Sequence, residues 1–481
     1  MGSDRPEQEE RPRGNDGDLP WRAFAAIAAC FVVLSLSSNL LFPPFDGPDE
    51  HSHFHYARLL AQGRGLPVQT DPERTADTEG FGPPLYYLVP AAILRVADPE
   101  RGAAISHIGV VSFKELARMA SRGGTLPAMN PLWLGFPRGT EPNLFVHPEG
   151  GPLAPGPLRS VHWMRVFSTL CGLTTLAGLH LLAREAAPGR RCAQIVALSV
   201  VAFNPQFVYL SGLLNNDNLV TAFATLALWR TAAVLRSERA GRLDVALLGA
   251  FLGLGMLAKP NMMFLSIPVA VVLWRRSPGF RAFSRDLALL AAIAVGIAGW
   301  FYVRNAWIYG GLDFFGWKTR SMIHPIFVLP PGLRWEYLSR KLAPILFTSF
   351  WGRFGWLTLR LPLGQYLFYG LLSLTSLATL LPHGVGDASG AGRPTLALLW
   401  AAATLNLASL LAFDLLFWAE QGRLLYPSIG ASATLIGLGI ERSLALGSGS
   451  SRRAVAFALP ALLLASVVFA QWVVIRPVYF R

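Results

Sequence analysis

Residues 21 to 56 read WRAFAAIAACFVVLSLSSNLLFPPFDGPDEHSHFHY, and the two parts of this stretch ask for different surroundings. Residues 21–41 form an apolar run long enough, as a helix, to cross a hydrocarbon core of about 30 Å. Residues 45–56 then gather Asp46, Asp49 and Glu50 with His51, His53 and His55. The pairing predicts a membrane helix with a cluster of titratable groups at its mouth.

The rest of the chain extends the first half of that reading. Of its 481 residues 52% are hydrophobic and only 15% charged, where soluble domains carry about 25%, and the mean hydropathy is +0.40. Apolar runs of helical length fall at 21–41, 161–183, 192–210, 213–235, 244–258, 262–275, 286–306, 362–382, 394–417, 423–441 and 454–475. These predict an all-α polytopic membrane protein with about eleven crossings. The fifth and sixth runs are short, which suits tilted or broken helices. Residues 82–97, GPPLYYLVPAAILRVA, hold three prolines in 16 positions. With Pro83 and Pro84 at a helix start and tyrosines at headgroup level, the segment reads as an interfacial or re-entrant helix.

The net charge of +13 does not point to nucleic acid, because the basic residues lack interleaved aromatics. They lie in short links, Arg184 to Arg191, Arg236 to Arg242, Arg275 to Arg285 and Arg442 to Arg453, as cytoplasmic loops require. That orientation puts the N-terminus in the cytoplasm, the C-terminus outside, and two long segments, 42–160 and 307–361, on the external face. Residues 1–20 read as a disordered cytoplasmic tail, 21–306 as a transmembrane module that includes the first external segment, and 362–481 as the C-terminal crossings. No cleavable leader is expected before the first span. Cys30, Cys171 and Cys192 lie in or beside apolar runs and imply no disulfide framework.

Long loops in a compact architecture are usually functional, and the first begins with the acid and histidine cluster. Residues 50–62 have helical spacing of apolar positions after Pro48 and Asp49, and residues 105–120 suggest another surface helix. Asp49 could simply cap the helix that starts near Glu50. The neighbouring histidines and the length of the loop favour a functional reading. His51 and His55 share a helical face and, with Asp49, could take zinc or manganese, but no spaced cysteine or HExxH signature accompanies them. A second polar focus is Asn215-Asn216-Asp217-Asn218, which would be costly facing lipid and so lines a polar cavity or caps its helix. Lys259, Arg304, Arg353 and Arg423 sit near the expected outer face, with Glu420 and Gln421 just before the tenth run. Snorkelling or anchoring is the alternative for each, although arginine's fork also suits a phosphate.

The Pro-Asp-Glu motif after the first span, the Gly-Pro-Pro-Leu-Tyr-Tyr segment, and the stretches FNPQFVYLSGLLNNDN, SFWGRFGW and QGRLLYPSIG resemble, in that order, the GT-C superfamily of membrane glycosyltransferases. Within it the chain is similar to bacterial relatives of the protein mannosyltransferases and the lipid A aminoarabinose transferases, over nearly its whole length. The resemblance implies a GT-C-like fold, a sugar donor on polyprenyl phosphate, inversion at the anomeric carbon, and a glycan, lipid or protein acceptor reached from the outer side of the plasma membrane. It matches Asp49 to the catalytic aspartate and Glu50 to its neighbouring acid. Asp46 is the next catalytic candidate. Lys259, Arg353, Arg423 and Arg304 are expected around the donor phosphate. His51, His53, His55, Asn215, Asn216, Asp217, Glu420 and Gln421 are expected near the acceptor or behind these groups. No metal or other cofactor is expected, with a divalent ion at the histidines as the alternative, since these histidines depart from the family pattern. A transporter, or a membrane scaffold without catalysis, is the reading from another class; the absence of an internal repeat and the external position of the polar groups favour the enzyme.

Overall fold

The computed structural model describes residues 17–105, 147, 150–325, 328–380, 392–417, 419, 421–444 and 449–480. The helix expected at 105–120 and the residue Glu420 lie outside them. Seven helices are long and apolar enough to cross a membrane: Trp21–Leu41, Arg159–Ala186, Asp217–Arg236, Phe280–Tyr309, Arg393–Asp414, Gly422–Ser443 and Arg452–Tyr479. The protein is a multi-pass, mostly helical membrane protein.

The remaining expected runs are helical but interrupted, and the interruptions have chemical causes. Residues 192–210 divide into helices Arg191–Ala202 and Pro205–Ser211, bent by 55°. Pro205 has no N–H to continue the first helix, and the Asn204 side chain caps the second by accepting from the N–H groups of Gln206 and Phe207 at 2.9 and 3.0 Å. Helix Arg242–Ala258 stops at Lys259, whose backbone is extended ahead of Pro260; a 3-10 turn, Pro260–Leu265, then leads into helix Ser266–Arg276. Residues 362–382 give helix Leu363–Leu374 and a 3-10 turn, Thr375–Leu380. All eleven expected runs are therefore helical, and seven of them, or eight with the bent pair, meet the length and composition of a crossing. Leu85–Ala97 is a 13-residue helix, about 20 Å long, too short to span the bilayer core.

Packing follows small residues. Gly249 and Gly253 let helix Arg242–Ala258 press on Phe280–Tyr309: a Cβ at Gly249 would lie 2.9 Å from the Leu290 carbonyl oxygen, and one at Gly253 3.0 Å from the Ala294 Cα. Arg159–Ala186 packs on Asp217–Arg236, on the first helix and on Leu85–Ala97, which in turn packs on helix Glu50–Ala61. The two loop helices are thus fixed against one wall of the bundle. A two-stranded ribbon pairs Arg353–Phe354 with Leu359–Arg360 in the second long loop. At the other end, Asp18 and Leu19, inside the stretch expected to be disordered, are held in place. Asp18 accepts from the Gly189 N–H at 2.6 Å and from Gln194 Nε2 at 2.7 Å, and the Leu19 N–H donates to Gln194 Oε1 at 2.7 Å.

Candidate active site

The loop between the first helix and Glu50–Ala61 is wound tightly. Phe45 and Asp49 both take left-handed backbone, at φ 71° and 62°, which costs a side-chain-bearing residue of order 1–3 kcal/mol and persists only where the surroundings enforce it. The enforcement comes from Glu50 and Arg165. Glu50 Oε1 accepts from Arg165 Nε at 2.7 Å and the Leu214 N–H at 2.9 Å. Its Oε2 accepts from Arg165 Nη2 at 2.7 Å and the Phe45 N–H at 2.8 Å. Arg165 also donates to the carbonyls of Asn39, Phe42 and Pro43. Glu50 was expected beside the chemistry; every donor it meets is structural, and it does not line the cavity described below. Asp46, also buried, accepts from the Tyr479 hydroxyl and is likewise turned away from that cavity.

Asp49 makes no capping bond to the helix it precedes. Its left-handed backbone sends the carboxylate across to Arg423, which donates to Asp49 Oδ2. Arg423 Nε lies 3.6 Å from Asp217 Oδ2, and Lys259 Nζ lies 2.5 Å from Asp217 Oδ1. Four residues expected at the site are thereby joined in one ionic chain, Asp49–Arg423–Asp217–Lys259. Burial works to raise the Asp49 pKa, and the Arg423 guanidinium beside it overrides that effect, holding the carboxyl below its ordinary value.

A cavity of about 330 Å³ opens over this chain, lined by Asp49, Glu79, Asn216, Lys259, Arg320 and Arg423 on its polar side and by Phe315, Trp317 and Phe413 on its apolar side. Glu79 and Arg320 were missed in the sequence. Glu79 stands seven residues before Tyr86 of the recognised Tyr86-Tyr87 pair, and its Oε2 accepts from the Tyr87 hydroxyl at 3.3 Å and from Asn216 Nδ2 at 3.3 Å. Arg320, on the short helix Trp317–Ile323, lays its guanidinium over the rings of Phe413 and Phe417 at 5.9 and 5.4 Å. No local sequence signal singles it out.

The histidines divide among different partners. His51 shares a 3.1 Å hydrogen bond with Ser52 Oγ and stacks on Trp356. His53 Nδ1 is 2.9 Å from the Tyr87 hydroxyl and 3.8 Å from Glu79 Oε2; burial holds its pKa below the ordinary imidazole value against the pull of Glu79 and Asp49. His55 is buried against Phe54. Among the described residues no group of three or more His, Cys, Asp or Glu side chains is placed to hold a metal. Asn215 fixes the turn, its Oδ1 accepting the Asp217 N–H at 2.7 Å, while Asn216 and Gln421 line the cavity. Two of the expected cations lie elsewhere. Arg304 clamps the first loop by donating to the Pro67 carbonyl at 2.7 Å. Arg353 belongs to the ribbon, where its N–H donates to Gln206 Oε1 at 2.7 Å.

The fold is similar to that of ArnT from Cupriavidus metallidurans, solved both with undecaprenyl phosphate and in the apo state, at a TM-score of 0.50 and 15% identity, covering 95% of this chain and 73% of that one. This is the GT-C fold. Residues 160–302 match the family model for dolichyl-phosphate-mannose-protein mannosyltransferase. The mycobacterial arabinofuranosyltransferase AftD aligns at a TM-score of 0.46 and 16% identity, over 95% of this chain and 28% of its own. No curated protein sequence matches the chain significantly.

Proposed function

We propose that the protein is an inverting glycosyltransferase of the plasma membrane, moving a sugar from a polyprenyl-phosphate donor to an acceptor on the external face. The observation that carries this reading is the cavity, in which the carboxylates of Asp49 and Glu79 stand with three cations, Lys259, Arg320 and Arg423, beside an apolar wall. Transfer of this kind needs a base for the acceptor hydroxyl, positive charge for the departing phosphate, and access for a prenyl chain. ArnT, which shares the fold, binds undecaprenyl phosphate. In the proposed step Asp49 takes the proton of the acceptor hydroxyl as its oxygen bonds to the anomeric carbon from the side opposite the phosphate. The bond from that carbon to the phosphate oxygen breaks, and the electron pair leaves with the lipid phosphate. Arg423 Nη1, buried and free of any hydrogen bond, and the Arg320 guanidinium supply positive charge to that oxygen. Because Arg423 holds the Asp49 carboxyl ionised, Asp49 is a weak base, and alignment must supply much of the rate.

The test is Asp49→Asn in the purified protein, followed as release of undecaprenyl phosphate from a panel of undecaprenyl-phosphate sugars. Turnover should fall by about a hundredfold or more, the usual worth of a positioned base, with folding retained. Near-normal turnover would remove Asp49 from the mechanism.

A further inference from the structure

Three amide side chains in this cavity have polar atoms that no protein group answers. Asn261, on the turn Pro260–Leu265, has both Oδ1 and Nδ2 buried without a hydrogen-bond partner. Asn216 commits its Nδ2 to Tyr87 and Glu79, which fixes the amide's orientation and leaves Oδ1 buried and unpaired. Gln421 Oε1 is in the same condition. All three line the cavity, and each stands within two residues of a member of the Asp49–Arg423–Asp217–Lys259 chain. Buried polar groups are almost always paired, and each exception calls for an explanation. An exception repeated three times around one cavity is explained by a ligand carrying its own donors and acceptors.

Charge narrows that ligand. Asp49 and Asp217 are matched by Arg423 and Lys259. Glu79 is tied to Tyr87, Asn216 and the His53 ring. No ion pair joins Arg320 to a described carboxylate, so one cation stands uncommitted, which suits the single negative charge of a phosphodiester. Glu79, whose partners are all neutral, keeps a carboxylate that could face a sugar ammonium group, whereas with Arg320 given to the phosphate the cavity has no spare cation for a sugar carboxylate.

We infer that Asn216, Asn261 and Gln421 form a hydroxyl-reading subsite, and that the transferred unit is a hydroxyl-bearing sugar without a carboxylate. This rests on the lipid-phosphate donor proposed above. Amides accept from and donate to hydroxyls without carrying charge, and a subsite built for such bonds discriminates against ligands that leave its polar groups unpaired.

The experiment measures binding to the full-length protein in nanodiscs. The probes are undecaprenyl phosphate joined to mannose, glucose or galactose, the corresponding hexuronic acid forms, and undecaprenyl methyl phosphate as a sugarless control of equal phosphate charge. The wild type should bind at least one neutral hexosyl form about tenfold more tightly than the methyl control, and more tightly than the hexuronic acid form. Asn261→Ala should lose about fivefold of that preference, the worth of one ordinary hydrogen bond, with affinity for the methyl control unchanged, and Gln421→Ala should act in the same direction. Asn261 breaks no internal hydrogen bond when truncated, so the variant tests recognition apart from folding. Preference for the uronic form, no preference for any neutral form over the methyl control, or a preference untouched in both variants would overturn the inference while leaving the donor reading standing. Failure of the wild type to bind any of these lipids, the methyl control included, would overturn both.

Discussion

Replacing Glu50 with glutamine changes one atom type in a side chain that is fully enclosed, together with its partner Arg165. Each carboxylate oxygen accepts one backbone N–H and one guanidinium N–H. In the amide one of those oxygens becomes an NH2 group pointed at two donors, so two accepted bonds are lost and Arg165 keeps a buried charge without its counterion. Removing one partner of a buried ion pair costs about 3–5 kcal/mol, a large share of the roughly 5–15 kcal/mol that holds an ordinary domain. The loss falls on the loop that carries the left-handed Phe45 and Asp49, so turnover should decline together with stability. Thermal unfolding in nanodiscs, followed by intrinsic fluorescence, should give a Tm clearly below wild type for Glu50→Gln, while Asp49→Asn should leave Tm nearly unchanged. A double replacement, Glu50→Leu with Arg165→Met, removes both charges but strands the carbonyls of Asn39, Phe42 and Pro43 that Arg165 now satisfies; it should therefore recover only part of the loss. A Glu50→Gln protein that melts with the wild type would refute the assignment of this pair as the clamp on the catalytic loop.

Two further outcomes follow from the same geometry. Asp49 is held below its ordinary pKa, burial opposing and Arg423 prevailing, so the acid limb of the rate should fall below the usual carboxylate range near 4, and Arg423→Met should move that limb to higher pH in whatever activity remains. The matching stability term is present above the unfolded-state pKa of Asp49 and is lost as pH falls through its lower folded-state value; an acid limb unmoved in the variant would contradict the pairing. For topology, a reporter fused at residue 335 should be external and one at residue 280 cytoplasmic, as the arginine-rich links require, and the reverse result would invert the proposed face of the active site.

What the sequence made legible depended on the distance over which each signal acts. Hydropathy is local, and every run it marked is helical. The break at Asn204-Pro205 is local too, but the apolar residues around it mask it unless the dipeptide is read as a cap followed by a residue without an N–H. Pairing is not local. Asp49 and Arg423 are 374 positions apart, and nothing in either neighbourhood names the other. The acid cluster was recognised as a group, yet its three carboxylates do three different things: Asp46 meets Tyr479, Glu50 meets Arg165 and Asp49 meets Arg423. Their division depends on two left-handed residues, neither of them glycine, which no residue preference would suggest.

Arg165 was the signal most open to being read. It is a charged residue in the first third of an apolar run, and an ionisable group inside a span has a named partner as a rule. Asking which acid could answer it would have pointed to the acid cluster and separated the clamp from the chemistry. With Glu50 assigned to that clamp and Asp46 to Tyr479, Asp49 is the carboxylate of the cluster that faces the cavity. The left-handed backbone that turns it away from capping its own helix is also what brings it to Arg423. Holding the loop and presenting Asp49 to the cavity are therefore one structural act, so changes at Arg165 should reach the proposed chemistry without touching any bound ligand.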